Sequence, residues 1–337
     1  MTIKEVAQLA GVSSAAVSRY INGGSLSEEK KERVRRAIEE TGYRPNLMAR
    51  TMRTGHGGQI GVIVPKIHSD SVSRVTAGIT LRLSQENYMT VLGNTEEDAM
   101  HQIRYLELME NNQVEGIILM GSVLKPEILE AIRACRVPLV VTGQKVEGVS
   151  CIYHDDFHAA RDLAALMIRR GRRRFAYVGA TEEDPAVGLH RRMGVQAALQ
   201  EAGLDPAAMP RTISRFHVED GCEKMKELLS SGAEFDAVIG ATDRIALGAM
   251  MALKEKGFQI PEDVSVAGIG DCWADIICCP AMSTVRLDYP SCGRMAADLL
   301  LRLIRGEEAG EGQGPRQVML PYTLVDRESI GPAFVKF

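Results

Sequence analysis

Aromatic residues are scarce in this chain, at 5% with a single tryptophan, Trp273. Long apolar runs are missing altogether. None approaches the ~20 residues that a membrane-spanning helix requires. Polar residues interrupt the first turns, so no signal-peptide core is present and the cytosol is the expected compartment. The seven cysteines form no C-x-x-C pair, Cys278 and Cys279 are adjacent, and the odd count argues against a disulfide framework. No Walker loop, G-x-S-x-G elbow or catalytic Cys/His signature occurs. Gly268-Ile269-Gly270 follows a strand-like run but lacks the third glycine and the following helix of a dinucleotide fingerprint. His154-Asp155-Asp156-Phe157-His158 offers metal-ligand residue types, yet it opens a helix, where the dipole alone favours Asp. The expectation is a protein that binds rather than catalyses: no enzyme, no cofactor, no metal, no membrane partner.

At 337 residues, two or three structural units are expected. Net charge is −4, but it is unevenly spread: residues 1–56 carry ten Lys and Arg against six acids, a local +4 that leaves −8 for the remainder. A basic head on an acidic body suits a chain that meets phosphate at one end. The head also reads as helices. Thr2-Ile3-Lys4-Glu5 has the form of a capping box. Ile3, Val6, Ala7 and Ala10 recur at helical spacing, Gly11 supplies a turn, and Ser13 is placed to cap a second helix that includes Tyr20. Two short helices joined through a glycine turn form a helix-turn-helix, whose second helix enters the major groove. Ser27 reads as the N-cap of a third helix that Gly42 closes. A further short helix over 47–53 is followed by a glycine-rich linker.

From Gln59 onward the pattern changes. Ile60-Gly61-Val62-Ile63-Val64 is a continuous apolar run, as in a strand buried on both faces. Strand-like runs follow at 89–92, 116–120, 138–141, 150–153, 175–178, 237–240 and 264–268, with a final pair near Val318 and Leu324. Helical segments alternate with them, which implies parallel sheets covered on both faces. The length suits two lobes, with ligand outside the carboxyl ends of the strands, in a cleft between lobes.

The run Thr2-Ile3-Lys4-Glu5-Val6-Ala7-Gln8-Leu9-Ala10-Gly11-Val12-Ser13, followed by Ala16-Val17-Ser18-Arg19-Tyr20-Ile21-Asn22, resembles the headpiece of the lactose/galactose repressor family. Gly42-Tyr43-Arg44-Pro45-Asn46-Leu47-Met48-Ala49-Arg50 is similar to that family's hinge, and Ile60 to Pro65 to the first strand of its effector domain. Weaker matches at 114–119, 241–249 and 260–268 occur in the family's order. The resemblance implies an all-α helix-turn-helix headpiece at 1–45, a hinge helix and linker at 46–58, and an α/β two-lobed effector domain of periplasmic-binding-protein type at 59–337. The lobes would comprise 59–158 plus 289–320 and 159–288 plus 321–337, joined by three crossovers.

The resemblance also implies roles. Ser14 and Ala15 occupy the positions that choose bases, and Arg19 supports or extends base contact. Ser13 and Ser18 match phosphate-contacting positions, while Thr2, Asn22 and Tyr43 help to hold the head on the DNA backbone. Ser14 and Ala15 are too small for a bidentate amide pair, so much of the base preference falls to Arg19, which can pair with guanine N7 and O6. In the hinge, Asn46 caps the helix, Ala49 allows close approach, and Met52 stands where relatives wedge a leucine into the minor groove. In the cleft, Arg191 and Asp243 are retained, whereas Gly143, Thr242 and Gly270 lack the side chains with which many relatives grip sugar hydroxyls. Asp271 remains, Phe216 sits where an aromatic stacks on ligand, and His68, Gln144 and His154 are further polar candidates. Residues 149–157 are reminiscent of the sucrose and fructose operon repressors of the family.

The expected protein is a cytosolic homodimeric regulator, a repressor of carbohydrate use. It would bind a near-palindromic operator and respond to a sugar or sugar phosphate. One alternative is a global or purine-type regulator of the same fold, controlled by a co-repressor or partner phosphoprotein. A more remote one is a sugar-binding protein with no DNA role.

Overall fold

The computed structural model describes residues 2–21, 24–43, 58–307 and 314–332. The chain divides into two compact units, Met1–Gly58 and Gln59–Phe337.

The first unit holds α1 (Ile3–Ala10), α2 (Ser14–Ile21) and α3 (Glu28–Thr41). The capping box forms: the Thr2 hydroxyl accepts from the Glu5 N–H, and the Thr2 N–H donates to Glu5 Oε2 at 2.7 Å. Gly11 adopts φ 61°, a left-handed conformation that releases the chain from α1 into the turn. Ser13 Oγ accepts from the Ala16 N–H at 3.2 Å and so caps α2. Ser27 does occupy the N-cap of α3, but its side chain makes no cap hydrogen bond. Val6, Ala7, Ala10, Val17, Val34 and Ala37 form the core. Arg33 adds a polar tie, donating to the Ala10 carbonyl through Nε (2.9 Å) and Nη2 (2.8 Å), and to the Gly11 carbonyl. It thereby satisfies acceptors that the end of α1 leaves without helical partners.

The second unit contains two six-stranded sheets. Its strands are β1 (Gln59–Val64), β2 (Met89–Asn94), β3 (Gly116–Met120), β4 (Leu139–Thr142), β5 (Ser150–His154), β6 (Phe175–Gly179), β7 (Arg211–Ile213), β8 (Ala237–Gly240), β9 (Ser265–Ile269), β10 (Ser283–Leu287), β11 (Gln317–Leu320) and β12 (Tyr322–Val325). The first sheet runs β11-β5-β4-β3-β1-β2, all parallel. The second runs β12-β10-β9-β8-β6-β7, with β12 alone antiparallel. The helices are α4 (Asp70–Gln85), α5 (Ala99–Asn111), α6 (Pro126–Ala134), α7 (Asp156–Arg169), α8 (Arg191–Glu201), α9 (Val218–Ser230), α10 (Asp243–Glu255), α11 (Ala274–Ile277) and α12 (Tyr289–Ile304).

The chain changes sheet three times: between β5 and α7, between β10 and α12, and between β11 and β12. Two strands escape the sequence pattern. β7 has only three residues, at a sheet edge. β10 opens with Ser283 and Thr284, polar but fully buried because their neighbours bond them: Thr284 donates to Asp243, and the Ser283 N–H to Ser329 Oγ. Apolarity alone does not mark such a strand.

Helices α4 and α12 pack so closely that glycine is required on both. A Cβ on Gly78 would lie 2.2 Å from the Pro290 carbonyl oxygen, and one on Gly293 2.1 Å from that of Val75. The obstacles are backbone atoms, so the helices themselves would have to part. Gly293→Ala is expected to destabilise the protein by ~1–3 kcal/mol through overpacking, read as a lower urea midpoint at unchanged slope; an unchanged midpoint would contradict the close approach.

Candidate functional site

In the headpiece, Val17 anchors α2 to the core, and the side chains around it divide by exposure. Ser13, Ala15 and Arg19 are exposed, while Ser14 and Ser18 are half-buried. Tyr43 packs against the headpiece core, and Thr2 is engaged in its cap. Asn22, Asn46, Ala49 and Met52, with the hinge helix, lie outside the described residues. The positive charge of the head is more localised than its count suggests. On α3, Arg35 pairs with Glu32 (2.7 Å) and Glu39 (2.6 Å), Arg36 with Glu32 (2.9 Å), and Lys31 with Glu28 (2.7 Å). These are i,i+3 and i,i+4 pairs that support the helix. Among the described residues Arg19 has no ion pair, so its guanidinium is available at the end of α2.

The second unit carries a cleft at the carboxyl ends of both sheets, lined by the loops after β1, β3, β4, β8 and β9 and by the chain crossings. Its floor combines residues from the crossings with residues after β6 and β8. Arg191, at the start of α8, donates through Nε to Asp156 Oδ1 at 2.7 Å and through Nη1 to the Ala241 carbonyl at 2.6 Å. Both members of the ion pair are buried. His154 meets the Tyr289 ring edge-on at 5.5 Å, and burial lowers its pKa, favouring the neutral imidazole. Asp184 accepts from the Val187 N–H at 3.1 Å and from Gln144 Nε2 at 3.2 Å. Burial raises its pKa to about 7. Asp243, first residue of α10, accepts from Thr284 Oγ1 at 2.5 Å and from the Cys272 N–H at 3.0 Å. Burial, and next the neighbouring Asp275, raise its pKa well above the usual carboxylate range.

Several contacts bridge the two lobes across the cleft. Arg74 Nη1 donates to the carbonyls of Gly270 (3.2 Å) and Asp271 (3.0 Å), and Arg244 Nη2 to that of His68 (3.2 Å). The His68 and His217 rings stack across the opening, 6.1 Å apart and 11° from parallel. Lys66 lies 5.8 Å over the Phe216 ring while paired to Glu97 at 2.8 Å.

Of the residues singled out from sequence, His68, His154, Arg191, Phe216 and Asp243 line the cleft. Two do not, and correct the expectation. Asp271 turns its carboxylate to Arg286 (2.5 Å) and Arg327; burial opposes its ionisation, but the two guanidinium groups hold its pKa below the usual value. Gln144 lies behind the wall, its amide donating to the Ser122 carbonyl and to Asp184. Sequence reasoning did not single out Asp184, His217 and Tyr289, and read Asp156 only as a helix-opening acid. Asp184 carried one usable signal, since an Asp before Pro185 is a helix-start pattern.

The comparisons with known proteins agree with this architecture. Residues 2–46 match the lacI family of bacterial regulatory proteins, and residues 164–330 a periplasmic binding protein-like domain. Over 333 residues the chain is 32% identical to the HTH-type transcriptional regulator RegA of Clostridium saccharobutylicum, covering 97% of this chain and 98% of the relative. The chain belongs to the lacI family. It is therefore a DNA-binding transcriptional regulator, with the headpiece as its DNA-reading unit. The sucrose operon repressor of Staphylococcus xylosus is 30% identical, covering 90% of this chain and 93% of that one. Among solved structures, the transcriptional regulator CelR–cellobiose complex is 28% identical with a TM-score of 0.75, covering 98% of this chain and 99% of that one. The Lac repressor dimer bound to operator and the anti-inducer ONPF, at 23% identity, shares the fold with a TM-score of 0.88 and coverage of 98% and 99%. Among the described residues, no helix is long and apolar enough to cross a membrane.

Asp184 makes the cleft sensitive to pH. Its folded pKa of about 7 lies above the ordinary carboxylate value of 3.8, so between the two the folded state holds a proton that the unfolded chain releases. The resulting stabilisation is complete below the unfolded value and is lost as pH rises through about 7. Asp184→Asn mimics the protonated acid. Its stability should therefore decline less than the parent's between pH 5 and 8 in urea titrations; parallel slopes would contradict the assignment.

Proposed function

We propose that the protein is a cytoplasmic homodimer that represses carbohydrate-utilisation genes, binding a near-palindromic operator and holding an uncharged sugar between its lobes. One observation carries this reading: a single chain joins a helix-turn-helix, with Ala15 and Arg19 exposed on its second helix, to a two-lobed cleft where most cations are answered by acids. Arg191 answers Asp156, Lys66 answers Glu97, and Arg74 lies 3.4 Å from Asp70. Hydroxyl groups find donors and acceptors there, with Phe216 as an apolar face, and Arg244, which has no ion pair among the described residues, donates to the His68 carbonyl. The sucrose operon repressor and the CelR–cellobiose complex support a carbohydrate. Dimerisation is supported by Trp273, Ile276 and Ile277, which are 70%, 65% and 71% exposed on one short stretch and would leave water on pairing with a second copy.

Binding of effector would change the angle between lobes, and with it the relation of the two hinges in the dimer, so that cleft and operator become linked sites. Thermal-shift screening of the purified protein against mono- and disaccharides, their phosphates and purines tests the ligand class. A saturating ligand at 100 times its Kd adds ~2.7 kcal/mol of stability; a sugar is expected to do so, and a purine-only response would sink the reading. On a panel of operator variants, Arg19→Ala should relax base preference while Ser14→Ala changes it little. Equal losses would show that the recognition helix reads its site through different side chains.

A further inference from the structure

We propose that Asp243, Cys272 and Asp275 form a binding site for a single divalent cation of the zinc class, at the edge of the cleft. All three residues are buried, and one donor atom from each, two carboxylate oxygens and the thiol sulfur, lies within 4.8 Å of the other two. Cys272 Sγ is 3.2 Å from Asp275 Oδ1.

Asp275 has 0% exposure, and its carboxylate touches that of Asp243, while its second oxygen finds no donor besides that neighbouring acid. Neither carboxylate is in a salt bridge among the described residues, and Arg327, whose charge reaches Asp275, is paired with Asp271. Two buried acids in contact without a cation are costly as anions. An ion at their centre removes that cost. A mixed thiolate and carboxylate donor set suits zinc, since harder ions such as magnesium and calcium take oxygen alone.

The surroundings are those of a built site. Asp243 is oriented by Thr284 Oγ1 at 2.5 Å on one oxygen and by the Cys272 N–H at 3.0 Å on the other, the kind of outer support that metal ligands commonly have. Gly268 and Gly270 leave room for its carboxylate: a Cβ at either would lie 2.5 and 2.6 Å from its oxygens. Zinc–ligand bonds of ~2.0–2.3 Å place tetrahedral donors about 3.3–3.8 Å apart. Side-chain contraction of about 1 Å therefore closes the set around an ion. Asp243 and Cys272 both line the cleft, which provides the entry path and leaves a fourth position facing ligand.

Full-length protein stripped with a chelator and dialysed is titrated with Co²⁺, then with Zn²⁺ in competition. The expected result is one equivalent of Co²⁺ with a thiolate-to-metal charge-transfer band in the near ultraviolet, displaced by Zn²⁺. Cys272→Ser should abolish the band, Asp275→Asn should weaken binding at least ~10-fold, and Cys279→Ala should change neither. Circular dichroism establishes that each variant is folded. Absence of the band, a band that survives Cys272→Ser, or undiminished affinity in Asp275→Asn would overturn the site and leave the two acids sharing a proton instead.

Discussion

The constraint on which the effector unit depends is topological: its chain passes between the two sheets three times, and two of these passages line the cleft. The first crossing delivers His154 and Asp156, and the second Tyr289. The floor of the cleft is therefore made in part of segments that join the lobes. A ligand that changes the angle between lobes acts on those segments directly, and a change in that angle alters the contacts available to ligand. The buried Arg191–Asp156 pair sits at this point. Breaking such a pair leaves an uncompensated charge, at ~3–5 kcal/mol, so the floor holds its charge pattern while the walls move.

The walls are held by weaker bonds. Arg74 and Arg244 each reach across to backbone carbonyls of the other lobe, and the His68 and His217 rings face each other over the opening. Exchanging contacts of this strength for contacts to a ligand is the kind of near-balanced competition on which population shift depends. Asp184 at the cleft adds a second input. Burial pushes it towards the protonated form, in which it can donate as well as accept.

Much of this was legible in the chain wherever the determinant was local. The capping box at Thr2 and Glu5, the turn at Gly11 and the apolar run of β1 each depend on neighbours a few residues away, and each forms as the pattern implies. The strand β10 was missed because the partners that make Ser283 and Thr284 buriable are Ser329 and Asp243, some 40 residues distant. The same reason explains the cleft. Arg191 and Asp243 open helices after strands and so fall at the strand ends by topology. Asp271 also follows a strand, but which way its carboxylate turns was decided by Arg286 and Arg327, which no local pattern ties to it. Gln144 likewise spends its amide on Ser122 and Asp184, contacts that only the assembled wall creates.

One coupling is central to the proposed regulation, that between the cleft and the DNA-reading head. Its most direct test is a pair of titrations with the strongest stabilising sugar from the thermal screen: operator affinity with and without that sugar, and sugar affinity with and without operator. Linkage requires the two ratios to be equal, and a common factor of ~5–150 is expected. A sugar that binds the cleft and leaves operator affinity unchanged would contradict it.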